Sequence, residues 1–313
     1  MRTLAAFALV GIIVVLAVRG ARGHDEPWDH RETFGPWSRP VNLGSIVNST
    51  GNDQTPAISR DGLSLYFSST RPGSAGFDLW VSQRLAVDLP WEAPVNLGPT
   101  VNTPANENGP SLSPDGRELY FISNRPGGAG LADIYMSRRI RANGGYVWDT
   151  PVALTTLNTS GIDAAPNYFA GEHGRPQLYF TSTRLGGPED IHVSELQRNG
   201  EWGVPVPVVE LNSPAPDGRS TIRRDGLEII FDSSRDGSSA AETDLYVSHR
   251  DHVWQPWSIP EKVAGDVNTD GFDARPALSH DGRTLYFTFL TPEGHLDLLV
   301  STRAVVRENK HDH

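Results

Sequence analysis

The sequence predicts an all-β fold: a five-bladed β-propeller of four-stranded antiparallel blades, closed by the N-terminal strand pairing into the last blade. Three observations predict it. Trp-x-x-Pro recurs at Trp37, Trp91, Trp148, Trp202 and Trp257, with successive tryptophans 54, 57, 54 and 55 residues apart. Each unit holds short alternating apolar runs divided by Gly-, Pro- and Asp-Gly-containing turns and shows no helical period. That is the pattern of a blade, which buries its faces only against neighbours. The chain ends are complementary, because the first Trp-x-x-Pro precedes any complete blade and the last unit runs to Ser301 without an outer strand.

Taken in order, residues 1 to 23 read as a signal peptide: Arg2, the apolar run Leu4 to Val18, then the small-x-small sequence Ala21-Arg22-Gly23. The run is shorter than the roughly 20 residues of a membrane span, so cleavage and export to a periplasm or the outside are expected. A membrane location follows only if the segment is retained. Residues 24 to 36 read as an exposed leader, 37 to 303 as the propeller, and 304 to 313 as a charged tail. The blades fall at residues 52 to 98, 106 to 155, 162 to 211 and 216 to 265, with the fifth built from 273 to 303 plus about 37 to 44. In the first blade the four strands are expected at Ala57 to Ser59, Leu65 to Ser68, Asp78 to Ser82 and Trp91 to Leu97.

Composition narrows the function. A net charge of −11 argues against nucleic acid, whose binding depends on neutralising phosphate. The absence of cysteine removes disulfides, thiolate metal sites, a cysteine nucleophile and a lipidated N-terminal cysteine. No Ser-His-Asp order, His-Glu-x-x-His spacing or phosphate loop occurs, so no cofactor, no metal and no catalytic residue is assigned. The histidines are scattered, as surface and turn residues are.

Within each unit an Asn followed by Ser or Thr stands ten or eleven residues after the Trp, at Asn48, Asn102, Asn158, Asn212 and Asn268. An acid follows five residues later: Asp53, Glu107, Asp163, Asp217 and Asp273. Pro56, Pro110, Pro166, Ser220 and Pro276 come next, then Asp-Gly in every copy but the third. The second unit shows the whole pattern: Asn102, Glu107, Pro110, Ser113 to Gly116, Leu119 to Phe121, Ser123, Arg125, Gly130 and Asp133 to Ser137. These residues resemble the WD40-like β-propeller repeats of bacterial envelope proteins, the TolB-like propellers, over nearly all of residues 37 to 303. The resemblance implies a propeller acting as a binding platform. It departs in blade number, since TolB-like propellers have six blades. Sialidase Asp-boxes are a poorer match, because their Gly lies two residues after the Asp and here it follows directly.

The five acids precede the innermost strands, which places them round one channel mouth, where like charges would attract a cation or a basic peptide. The alternative is that each satisfies loop backbone donors. Residues that differ between blades are better functional candidates. Before the inner-strand Pro or Ser stand Thr55, Gly109 and Ala165, then Arg219 and Arg275. Two neighbouring guanidinium groups suit a carboxylate or sulfate, or balance the acids. The Arg of Ser-x-Arg (Arg71, Arg125, Arg184, Arg235) is expected to pair with the Asp opening the next strand (Asp78, Asp133, Asp190, Asp244). The tryptophans are expected to pack between blades. The ligand site is therefore placed at Asp53, Glu107, Asp163, Asp217, Arg219, Asp273 and Arg275, in a monomer that binds a protein or an envelope polymer. The enzyme alternative is a glycoside hydrolase that uses two of Asp163, Asp217 and Asp273, which needs carboxylates about 5 or about 6.5 to 9.5 Å apart.

Overall fold

The computed structural model describes residues 32–142, 144–171, 174–237, 242–269 and 271–306. The expected signal peptide, most of the leader and residues 307–313 lie outside them. The described chain is all-β, with five antiparallel sheets arranged as blades round an axis. Blade 1 runs outward from Asp53–Ile58 through Ser64–Ser69 and Asp78–Gln83 to Val95–Asn96. The inner strands of blades 2 to 5 are Glu107–Leu112, Asp163–Phe169, Asp217–Ile222 and Asp273–Leu278.

Closure is as the chain ends implied. Val41–Asn42 is the outer strand of blade 5, with Val41 opposite Val300 and Asn42 opposite Leu299. Ser38 reinforces the seam, donating its N–H to Thr302 O at 2.7 Å while its carbonyl accepts from Ser301 Oγ at 2.6 Å. A further pair, Thr33–Phe34 with Val305–Val306, draws part of the leader and of the tail into a two-stranded sheet. Arg303 clamps it, with its guanidinium 4.0 Å over Phe34 and 4.4 Å over Trp37 and its Nη2 2.6 Å from Glu228 in blade 4.

Two strand expectations change. Each inner strand begins at the acid itself rather than after the proline. The outer strands shrink to two residues past Trp-x-x-Pro, because Pro has no N–H for the ladder. Blade 2 also extends its third strand to Asp133–Ala142 and adds an edge strand, Gly145–Trp148.

The core is a set of seams. Phe67, Phe121, Phe180, Phe231 and Phe287 occupy one position in successive blades, and all are at most 1% exposed. Five apolar clusters each join two neighbouring blades. The tryptophans pack across these seams as expected: Trp91 edge-on to Tyr286, Trp148 to Tyr66 and Trp202 to Tyr120. The repeated Asn brackets one residue of the third strand: Asn158 Nδ2 donates to Ile134 O at 3.0 Å and Asn158 Oδ1 accepts from Ile134 N at 2.8 Å. Asn48, Asn102, Asn212 and Asn268 do the same to Leu298, Leu79, Ile191 and Leu245.

Candidate functional site

The five repeated acids stand at the starts of the inner strands, yet none lines the channel. Asp53, Glu107, Asp163, Asp217 and Asp273 are all 0% exposed. In each, one oxygen takes the N–H of the residue four positions earlier, as Ser49 N does to Asp53 Oδ2 at 2.5 Å. The other oxygen takes the Ser-x-Arg guanidinium: Arg71 to Asp53 at 2.6 Å, Arg125 to Glu107 at 3.1 Å, Arg184 to Asp163 at 2.8 Å and Arg235 to Asp217 at 2.6 Å. The same guanidinium Nη2 reaches a loop carbonyl, such as Val101 O at 2.8 Å.

This placement corrects two expectations. The acids form an internal stapling ring rather than an open one, and the arginines close on them rather than on Asp78, Asp133, Asp190 and Asp244. A fully buried carboxylate needs a counter-charge and donors, and the staple supplies both. Blade 5 is the exception. Phe289 and Thr291 stand where other blades have Ser and Arg, so Asp273 Oδ1 has no partner and burial pushes its carboxyl up to about 6.

What faces the channel is the third residue of each inner strand. A bulge interrupts every inner ladder at this point, and such bulges re-aim side chains. Thr55, Ala165 and Arg275 are held at φ of 51, 50 and 59°, a left-handed conformation that costs roughly 1–3 kcal/mol each in a non-glycine residue. The second strand of the preceding blade catches the exposed N–H: Thr288 Oγ1 takes Thr55 N at 3.0 Å, Ser68 Oγ takes Gly109 N at 3.2 Å, and Asp232 Oδ2 takes Arg275 N at 2.6 Å. Blade 4 departs from the rule, with Ser220 for Pro and no left-handed residue. Thr181 Oγ1, which holds the catching position before it, is left without a partner.

Arg219 instead crosses the channel. Its Nη2 donates to Pro56 O of blade 1 at 3.3 Å and to Pro110 O of blade 2. Its Nη1 passes beside Gly109, which is held at a φ of 60°. Arg219 is 3% exposed, and its Nε and Nη1 have no hydrogen-bond acceptor. Burial lowers its pKa to about 10, so it stays charged at neutral pH.

The guanidinium divides the channel. On the side of the inner-strand starts lies a cavity of about 570 Å³. Its blade 2 and 3 wall is mixed, with Ile122, Ile162, Ala164, Ala165 and Pro188 beside Asn108, Thr181 and Thr183. The facing wall, from the end of blade 3 to blade 5, carries Glu189, Arg219, Asp232 and Arg275. On the other side a cavity of about 310 Å³ is bordered by Arg60, Arg224 and His280, and again by Arg219. The structure thus brings Arg219 and Arg275 together in the larger cavity and leaves the five acids out of it.

Sequence reasoning missed Asp232 and Glu189. Burial pushes Asp232 up to about 6, against the opposing pull of the Arg275 N–H and charge, and burial raises Glu189 as well. Asp232 fits only because position 218 is Gly, where a Cβ would overlap its Oδ1. The signal was present. Asp232 stands where other blades have Ser68, Ile122, Thr181 and Thr288, and Glu189 stands where they have Phe77, Ala132, Thr243 and Leu296. The comparison between blades that singles out the two arginines also singles out these acids.

Fold and hub define a five-bladed propeller whose axial cavity is closed at the bottom by one arginine. No family model matches the chain, and no curated protein matches its sequence. Solved structures share the fold. TolB from Acinetobacter baumannii is 18% identical with a TM-score of 0.51, covering 83% of this chain and 56% of that one, so this chain spans little more than half of TolB. A thermostable family-43 glycoside hydrolase is 13% identical with a TM-score of 0.55, covering 85% and 93%. The catalytic domain of a Coprinopsis cinerea GH62 α-L-arabinofuranosidase is 12% identical with a TM-score of 0.53, covering 87% and 97%. At these identities the likeness speaks for fold alone.

Proposed function

We propose that the chain is an exported, non-catalytic binding propeller that grips a protein or an envelope polymer at the mouth of its axial cavity. One observation carries this reading: four charged residues that the repeat does not share, Arg219, Arg275, Asp232 and Glu189, converge on the cavity that opens at the inner-strand starts. Polar groups gathered on one wall of a partly apolar cavity are the arrangement of a small-ligand or chain-end site. Export rests on Arg2, Leu4 to Val18 and Ala21 to Gly23. The test is pulldown from envelope extract with Arg219→Ala and Arg275→Ala. Lost recovery of a partner held by the unmodified protein supports the reading, and unchanged recovery removes both arginines from the site.

A second reading, glycoside hydrolysis, is favoured by the two carboxylates in that cavity, one of them raised to about 6 and so suited to a general acid. It moves the enzyme alternative from Asp163, Asp217 and Asp273, which are locked in staples or buried, to Asp232 and Glu189. Turnover in a chromogenic glycoside screen that disappears in Asp232→Asn would place this reading first.

A further inference from the structure

We infer that the larger cavity takes the zwitterionic head of an α-amino acid, its carboxylate on the guanidinium of Arg275 and its ammonium on the carboxylate of Glu189. The inference rests on the binding reading above and names the ligand of that site.

Three features point to it. The first is departure from the repeat. Arg275 stands where blades 1 to 3 have Thr55, Gly109 and Ala165, and Glu189 stands where the other units have Phe77, Ala132, Thr243 and Leu296. A residue that serves the blade recurs in every blade, as the stapled acids do. Neither Arg275 nor Glu189 does so, and these two opposite charges border one cavity.

The second feature is reach. Both residues are half-buried, whereas Arg219 is 3% exposed. Among the described residues no hydrogen bond engages the Glu189 carboxylate, and the Arg275 guanidinium uses only Nη1, which donates to Gln54 Oε1. That bond and the Phe272 ring, 5.2 Å from the guanidinium carbon, hold the group in place, so little ordering remains when a ligand arrives. Nε and Nη2 form the side-on fork that matches the two oxygens of a carboxylate.

The third feature is a gap between opposite charges. Arg275 and Glu189 act electrostatically on each other, yet they lie further apart than the 4.0 Å of an ion pair. Asp232 does not fill the gap, because its Oδ2 takes the Arg275 N–H at 2.6 Å and its charge is shared between Arg219 and Arg275. The two arginines and two acids on this wall cancel in charge, so a ligand of one sign would leave the other unmatched. A molecule that carries both signs a few bonds apart bridges the gap. Burial raises Glu189 and the Arg275 charge opposes the rise, and an ammonium beside it favours the ionised form further. The cavity of about 570 Å³ has room for a stem behind the head, and its mixed wall, with Ile122, Ile162 and Pro188 beside Asn108 and Thr183, accepts a stem of either polarity.

The test is calorimetric titration of the purified protein with alanine, with N-acetylalanine, which lacks the ammonium, and with alaninamide, which lacks the carboxylate. Alanine is expected to bind in the micromolar to millimolar range, and each control about tenfold weaker or worse. The two variants cross. Arg275→Gln abolishes the preference for alanine over alaninamide and keeps the preference over N-acetylalanine, and Glu189→Gln does the reverse. A residue that only supports the fold would weaken all three ligands alike, and either variant carries the test if the other does not fold. Nε-acetyl-lysine separates the sources: binding tighter than that of alanine marks a head carried on a chain, and equal or weaker binding marks the free amino acid. Equal binding of alanine and either control, binding of none at about 10 mM, or unchanged preferences in the variants overturns the inference. If alanine and Nε-acetyl-lysine fail while Arg275→Ala still loses its envelope partner, this inference falls and the binding reading stands. If recovery from the envelope is also unchanged, both fall.

Discussion

The fate of a single residue depends on what its own blade supplies. Asp163 and Asp273 hold equivalent positions, and both are fully buried. Asp163 has Arg184 and Ser182 on one oxygen, whereas Asp273 has nothing on that oxygen. Asp163→Asn should therefore leave Arg184 without its counter-charge and cost about 3–5 kcal/mol in urea unfolding, while Asp273→Asn, which strands no cation, should cost clearly less near pH 7. The pH dependence has the opposite sign to the usual carboxylate. The folded pKa of Asp273 is raised from 3.8 to about 6, so the folded state binds the extra proton and this residue adds stability as the pH falls from about 7 to about 4. Asp273→Asn should remove that gain, seen as a stability difference between parent and variant that shifts in the parent's favour as the pH falls over this range. A variant as pH-dependent as the parent would count against the assignment. Gly218→Ala is a second residue-level check, since its Cβ overlaps Asp232 and should cost about 1–3 kcal/mol, measured by thermal unfolding.

At the scale of the element, the repeated unit is a strand set held by two brackets, the Asn on the third strand and the acid on its loop. Asn158→Ala should leave the Ile134 N–H and C=O unpaired and destabilise by about 1–3 kcal/mol. Hydrogen exchange at Ile134 should rise with it. How much of this was legible follows from what repeats. Trp-x-x-Pro and Asp-Gly marked where blades begin and turn, because their chemistry acts locally. The destination of Arg71 or Arg125 did not show, because two acids stand near each arginine in the repeat and the choice is made by the fold of the loop, whose Val47 or Val101 carbonyl takes the same guanidinium. Arg219 and Arg275 were legible as departures from the repeat, and Asp232 was equally visible as the one acid among Ser, Ile and Thr. The arm of Arg219 across the axis was not legible. It ends on the Pro56 and Pro110 carbonyls of two other blades, an arrangement that no one unit encodes.

For the whole molecule, five similar seams close a ring whose join is the pairing of Val41–Asn42 with Leu296–Thr302. The axis is where the blades stop being equivalent, and the charged groups that differ between them gather on blades 3 to 5 above the Arg219 floor. The central claim is that a ligand enters from the inner-strand starts and not from the opposite mouth. The most direct measurement compares envelope-partner recovery for Arg275→Ala, which borders the larger cavity, with that for Arg224→Ala, which borders the smaller one. The account predicts loss with Arg275→Ala and normal recovery with Arg224→Ala, and the reverse pattern would contradict it.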